Sequence, residues 1–194
     1  MYSSALGRFK ISRKIVLFGF ALFSFFCGLS LSALPGHAEP KQCDLAKELV
    51  EKFIKLDARL GRISLKANAL FDPMINRIER EEPGWDMAIV IREYKVLGCR
   101  KEVKGLNVEV EYTVLGRHEP SATGQCEIFT SHPSVEKVMF QVIEQNGELK
   151  IDYPPQPHLS VQRTIQLLQE GRKSCPQKAA DSIRRLRAMD LLIF

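Results

Sequence analysis

The sequence predicts an α+β fold in which N-terminal helices pack on a curved antiparallel sheet of about four strands, with further helices at the C-terminus. Three observations carry this. Leu106 to Leu115 alternates without interruption, placing Val108, Val110, Tyr112 and Val114 on one face and Asn107, Glu109, Glu111 and Thr113 on the other. Asn146-Gly147 separates two further apolar runs and suits the positive backbone angles of a two-residue hairpin turn. On either side of the stretch Trp85 to Tyr153 the apolar residues recur at helical rather than strand spacing.

At the start of the chain, Met1 to Ala38 has the parts of a secretory signal: Arg8, Lys10, Arg13 and Lys14, an apolar run from Ile15 to Leu34, and Gly36-His37-Ala38 with small residues at a cleavage position. Cleavage after Ala38 is expected, with retention of residues 15–34 as an inner-membrane anchor as the alternative. Cys27 follows Phe25-Phe26 and does not resemble a lipoprotein acceptor. The leader holds four of the 28 basic residues and none of the 23 acidic ones, so the net charge of +5 shrinks almost to neutrality once it is removed. The basic balance therefore belongs to export and gives no basis for nucleic-acid binding, which needs a clustered basic surface. Residues 39–194 suffice for a single α+β domain, with a helical extension from about residue 158.

Four cysteines remain after the leader, and an even number in an oxidising compartment predicts two disulfides. Of three connectivities, the expected one joins Cys43 to Cys175, linking the helical ends, and Cys99 to Cys126, tying the first hairpin to the loop that follows it.

Cys43 to Leu60 reads as a helix, with Leu45, Leu49, Phe53, Leu56 and Leu60 at helical spacing and Gly61 to break it. Ser64 caps a second short helix to Phe71, stopped by Asp72-Pro73, and Met74 to Glu82 adds a turn or two. Trp85 to Gly98 is the first strand, and the polar turn Arg100 to Gly105 returns it into Leu106 to Leu115. Keeping the valines inward places Val90, Tyr94 and Val96 beside Val108, Val110, Tyr112 and Val114, with Lys95 across from Glu109 or Glu111. Arg117 to Pro133 reads as a loop with a short irregular strand at Cys126 to Phe129. Val138 to Glu144 and Leu149 to Tyr153 form the second hairpin, with Val138, Phe140, Val142, Leu149, Ile151 and Tyr153 inward. Pro154-Pro155-Gln156-Pro157 is a stiff spacer, His158 to Glu170 a helix and Gln177 to Phe194 a last helix.

Few residues suggest chemistry. Arg92 falls on the apolar row of the first strand, where a bare charge is costly without a partner. With Tyr94, Tyr112 and Tyr153 it forms a candidate ligand-binding group, a guanidinium fork and phenols suited to a carboxylate or another anion; the competing reading is a structural ion pair. His118, Cys126 and His132 match no zinc spacing, so no metal or cofactor is expected. Glu79, Glu81 and Glu82 read as a solvated connection rather than a catalytic pair. Arg184, Arg185 and Arg187 beside Ile183, Leu186 and Leu191 to Phe194 form either a core-packing helix with a basic outer face or a contact to membrane or partner. No catalytic elbow, zinc helix or phosphate loop is present.

Helices followed by a curved sheet of long hairpins, from about Lys41 to Tyr153, resembles the cystatin-like cone of the nuclear-transport-factor and ketosteroid isomerase superfamily. The resemblance rests on element order and implies a fold that serves enzymes, small-ligand binders and interaction domains alike. Two readings follow. The first is a non-enzymatic exported envelope protein, periplasmic or secreted, that binds a small molecule or a protein partner. The second is a cone-fold hydrolase or isomerase using Arg92, Tyr94, Tyr112 or Asp152. The assigned inward rows hold no carboxylate or histidine base, which favours the first.

Overall fold

The computed structural model describes residues 40–62, 69–76 and 86–191. The predicted leader, Trp85, Glu79, Glu81, Glu82, most of the short helix expected from Ser64, and residues 192–194 lie outside them. The chain is α+β, a curled mixed sheet flanked by an N-terminal helix and C-terminal helices. Its elements are α1 (Pro40–Leu60), β1 (Ala88–Glu102), β2 (Gly105–Pro120), β3 (Glu127–Gln145), β4 (Glu148–Ile151), β5 (His158–Ser160), α2 (Val161–Glu170), a single 3-10 turn (Gly171–Lys173) and α3 (Pro176–Leu191). The strand order is β4-β3-β2-β1-β5.

The apolar stripe of α1 lies on one face of the sheet. Ala46, Val50, Phe53 and Ile54 pack there against Val108, Val110, Tyr112, Val114, Phe140, Val142 and Ile151. Phe53 meets the Phe71 and Phe140 rings edge-on at 5.3 and 5.8 Å. On the opposite face a smaller core joins Val90, Leu115 and Phe129 to Leu168 of α2 and Leu186 of α3. Helix α1 stops where expected, with Gly61 at φ 70, a conformation that glycine adopts without the steric cost of a side chain.

The hairpin register follows the charge and valine rows, with Lys95 opposite Glu111, Tyr94 opposite Tyr112 and Val96 opposite Val110. Asn146 (φ 54) and Gly147 (φ 80) make the turn between β3 and β4. Bulges between Val90 and Ile91, and between Ile91 and Glu93, interrupt the ladder at the start of β1. The second leaves Arg92 as an extra residue in β1 and reverses the face of everything before it, whereas the first leaves Leu115 extra in β2 and does not alter the alternation of β1. Val90 consequently packs in the smaller core, while Ile91 takes the place in the main core that simple alternation gave to Val90.

The predicted loop from Arg117 to Pro133 is instead mostly ladder. β2 continues to Pro120 and β3 begins at Glu127, with Pro120 opposite Glu127. Pro133 fits because the ladder jumps there, from Val114 opposite Ser134 to Gly116 opposite Ser131, leaving proline beside a bulge. His158 to Ser160 is likewise a strand, parallel to Ile89–Ile91, and the helix starts only at Val161 with Ser160 as its cap. β4 ends at Ile151, so Tyr153 lies half exposed at 50% instead of inward.

The disulfides are Cys43–Cys99 and Cys126–Cys175, not Cys43–Cys175 and Cys99–Cys126. The ladder explains the correction. Cys99 pairs with Val108, whereas Cys126 lies at the Pro120–Glu127 end, twelve strand residues or roughly 40 Å away. A bridge needs its Cα atoms within about 7 Å. The observed pairs have them 5.6 and 5.9 Å apart, fastening α1 to β1 and the approach to α3 to the β2–β3 turn.

Candidate functional site

Two constellations lie one above the other where α1, β1, β5 and α2 meet. The inner one is wholly buried. Asp57 stands on the sheet-facing stripe of α1, four residues after Phe53 and seven after Val50, and is 1% exposed. Its Oδ1 accepts from Arg62 Nε at 3.1 Å and its Oδ2 from the His158 backbone N–H at 2.9 Å. Arg62 also donates to the Pro155 carbonyl and lies over the Phe53 ring, 4.9 Å from its centre. This one ion pair therefore docks the proline-rich spacer and starts β5 in register with β1.

The His158 imidazole stacks on Tyr112, with ring centres 4.1 Å apart and planes 13° from parallel. Burial first, and the Arg62 cation second, push its pKa down to about 3, so the ring is neutral at any physiological pH. Burial likewise raises the Tyr112 phenol far above its ordinary value. At 2% exposure for His158 and none for Tyr112, these groups meet no solvent. Their chemistry is structural: a neutral stacked ring, and a carboxylate paired and hydrogen-bonded on both oxygens.

The outer constellation is an open groove of about 380 Å³ lined by Lys55, Ala58 and Arg59 of α1, Tyr94 of β1, Ser160, and Gln162, Arg163 and Gln166 of α2. Three cations, a phenol and two carboxamides face it, and none of its lining residues is a carboxylate. Lys55 leans on Glu51 at 3.2 Å, and Arg163 on Glu170 at 3.5 Å and on the Leu60 carbonyl at 3.2 Å. Arg59 is exposed and makes no ion pair among the described residues. Burial raises the Tyr94 pKa, which keeps its hydroxyl protonated as a donor. Beneath the groove Tyr94 tilts against Tyr112 at 6.4 Å, linking the open site to the sealed one.

Of the four residues expected to bind a ligand together, the structure brings Tyr94 and Tyr112 side by side, with only Tyr94 in the groove. Arg92 is not with them. It occupies the bulge and donates to the Met189 carbonyl of α3, on the other face of the sheet. Tyr153 is exposed past the end of β4, and Asp152 accepts from Asn76 Nδ2 at 2.9 Å. Cys126 is bridged to Cys175, which removes it as a thiolate ligand, and His118 lies 3.0 Å from Glu127. Among the described residues no group of three or more possible ligands could hold a metal ion.

Sequence reasoning passed over Asp57, Arg62, His158, Arg59, Lys55 and Arg163. For Asp57 a signal existed, since an acidic residue at helical spacing from Val50 and Phe53 on an apolar stripe requires a buried cation. The groove cations carried none: their convergence depends on where β5 ends, and that strand was read as helix. The chain matches no family model, no curated protein and no solved structure.

Proposed function

We propose that this protein is an exported, non-enzymatic binding module whose groove between α1, β1 and α2 receives the anionic group of its ligand. The observation that carries this reading is the lining itself, with Lys55, Arg59, Arg163 and the Tyr94 hydroxyl around one opening and no carboxylate among the groove residues. A guanidinium fork beside a phenol donor suits a carboxylate or another oxyanion. The two disulfides fit a periplasmic or secreted location. The cystatin-like cone is retained as the architectural comparison: α1 against hairpins β1 to β4 supports it, while the parallel β5 and helices α2 and α3 are additions to that pattern.

A hydrolase or isomerase would need a general base within reach of a bound substrate. The groove is lined by cations, a protonated phenol and amides; Asp57 and His158 beneath it are buried and engaged in holding β5, and the exposed Glu51 and Glu170 beside it are paired with Lys55 and Arg163. The test is thermal stabilisation by small acids, with glutarate, citrate and inorganic phosphate as probes. A ligand at a hundredfold excess over its Kd should stabilise the wild type by roughly 2.7 kcal/mol. Arg59→Met should abolish that gain while melting at the wild-type temperature without ligand, because Arg59 is exposed and holds nothing else in place. Absence of stabilisation by any of the three probes would overturn the reading.

A further inference from the structure

The groove does not close on itself; it opens onto the edge of the sheet. β5 pairs with β1 only from Ile89 to Ile91, and after Ser160 the chain turns away into α2. β1 itself runs on to Glu102, so from Arg92 onward its outer side has no strand neighbour among the described residues. An unpaired edge presents a row of N–H and C=O groups ready to accept another strand. The backbone is regular from Glu93 to Val96, between the bulge at Ile91/Glu93 and the next at Val96/Gly98. Tyr94, in the middle of this regular stretch, also lines the groove.

The opposite side of the sheet differs. β3 also extends past its short partner β4, but its free portion contains Pro133 and the bulge opposite Val114/Gly116, features that discourage strand addition. Beside β1 the open lane and the cations coincide. Tyr94 and Val96 face α1, so a strand laid alongside would direct every second side chain toward the same helix, where Lys55 and Arg59 stand.

We infer that the ligand is an extended acidic peptide segment of a partner protein, which adds to the sheet beside β1 in the lane that β5 leaves after Ser160 and sets alternate carboxylates against Lys55, Arg59 and Arg163. Main-chain hydrogen bonds to the edge supply affinity, and the cations select acidic residues at alternate positions. This rests on the reading of the groove as an anion site and names the class of molecule that carries the anion.

The experiment uses the exported protein and a fluorescent heptapeptide with glutamate at alternate positions between threonine and valine. Three controls accompany it: the same peptide N-methylated at alternate amides in each of the two phases, a version with lysine in place of glutamate, and free glutarate. The acidic peptide is expected to bind and to slow amide hydrogen exchange between Glu93 and Val96. One N-methylated phase and the lysine version should each bind at least about tenfold more weakly. Arg59→Met should weaken the acidic peptide without lowering the melting temperature of the free protein. If both N-methylated peptides bind as tightly as the parent, charge alone holds the ligand and strand addition is wrong. If glutarate stabilises the protein but the peptide does not bind, the inference falls and the anion groove stands. If neither binds, the groove reading falls with it. Concentration-dependent protection of Glu93 to Val96 without peptide would make a second copy the occupant and also overturn the inference.

Discussion

Asp57 and His158 are both polar and both buried, and they meet where Asp57 accepts from the His158 backbone N–H at the start of β5. Removing the charge of Asp57 leaves the Arg62 guanidinium buried opposite a neutral group. Asp57→Asn should therefore cost about 3 to 5 kcal/mol in urea denaturation, while Asp57→Leu combined with Arg62→Met should recover most of that loss. If the double variant were as unstable as the single one, the pair would be acting through something other than its charges. His158 sets a pH dependence. Its pKa is about 3 when folded against an ordinary 6.5, so below 6.5 the unfolded chain binds a proton that the folded ring refuses. Its contribution is complete above pH 6.5 and is lost at up to about 1.4 kcal/mol per pH unit as the pH falls toward 3. Glu127, held below the usual carboxylate range by its hydrogen bond to His118, loses its contribution in the same direction but only below its ordinary 4.5. His158→Phe, which keeps a flat ring on Tyr112, should therefore flatten the slope of stability against pH between 6 and 5 by about one proton relative to the wild type. Neither role was legible from residue type. A buried aspartate could be suspected from its place on the α1 stripe, but the state of His158 depends on Tyr112 and Arg62, which come together only in the folded chain.

At the scale of elements, alternation revealed the strands and failed wherever the ladder skips a residue. Lys95 opposite Glu111 was readable because the pairing there is regular over four residues. Arg92 was placed on the wrong face because it is itself the extra residue between Ile91 and Glu93, and a bulge leaves no dependable mark in a single sequence. The continuation of β2 and β3 beyond Gly116 was hidden by the opposite error, since Pro120, Gly124 and Pro133 resemble a loop. Gly116 shows what the bulged ladder demands. A Cβ there would sit 2.1 Å from the Thr130 carbonyl oxygen and 2.9 Å from the Phe129 ring, a clash with backbone that no rotamer relieves. Gly116→Ala should destabilise by roughly 1 to 3 kcal/mol. Gly98→Ala, in the same sheet but with nothing within 4 Å of the added carbon, should change stability by less than about 0.5 kcal/mol. Equal effects of the two substitutions in chemical denaturation would show that the close approach at Gly116 relaxes freely.

For the molecule as a whole, two cores on opposite faces of one sheet are each fastened by a disulfide. Cys43–Cys99 holds α1 over the main core, and Cys126–Cys175 holds the α2–α3 pair over the smaller one. That two bridges form was legible from an even count of cysteines outside the predicted leader. Their partners were not, because the choice depends on which end of a ladder each cysteine reaches, and the ladder was longer than its alternation showed. The bridges span 56 and 49 residues, so by loop-closure entropy alone they stabilise the fold almost equally, by roughly 4 kcal/mol each. Their effects on ligand binding should nevertheless differ. The groove takes Lys55, Ala58 and Arg59 from the end of α1 remote from Cys43, and that end is held independently by Asp57 and Arg62. Its other wall is α2, which packs through Leu168 against the core that Cys126–Cys175 closes. Cys43→Ser with Cys99→Ser should therefore lower stability while leaving affinity for a small acid nearly unchanged. Cys126→Ser with Cys175→Ser should lower both, because loosening α3 frees α2 to move Arg163 away from Arg59. Isothermal titration with glutarate, run well below the melting temperature of each variant, separates the outcomes, and equal affinity losses would mean that the groove depends on global stability rather than on the seating of α2.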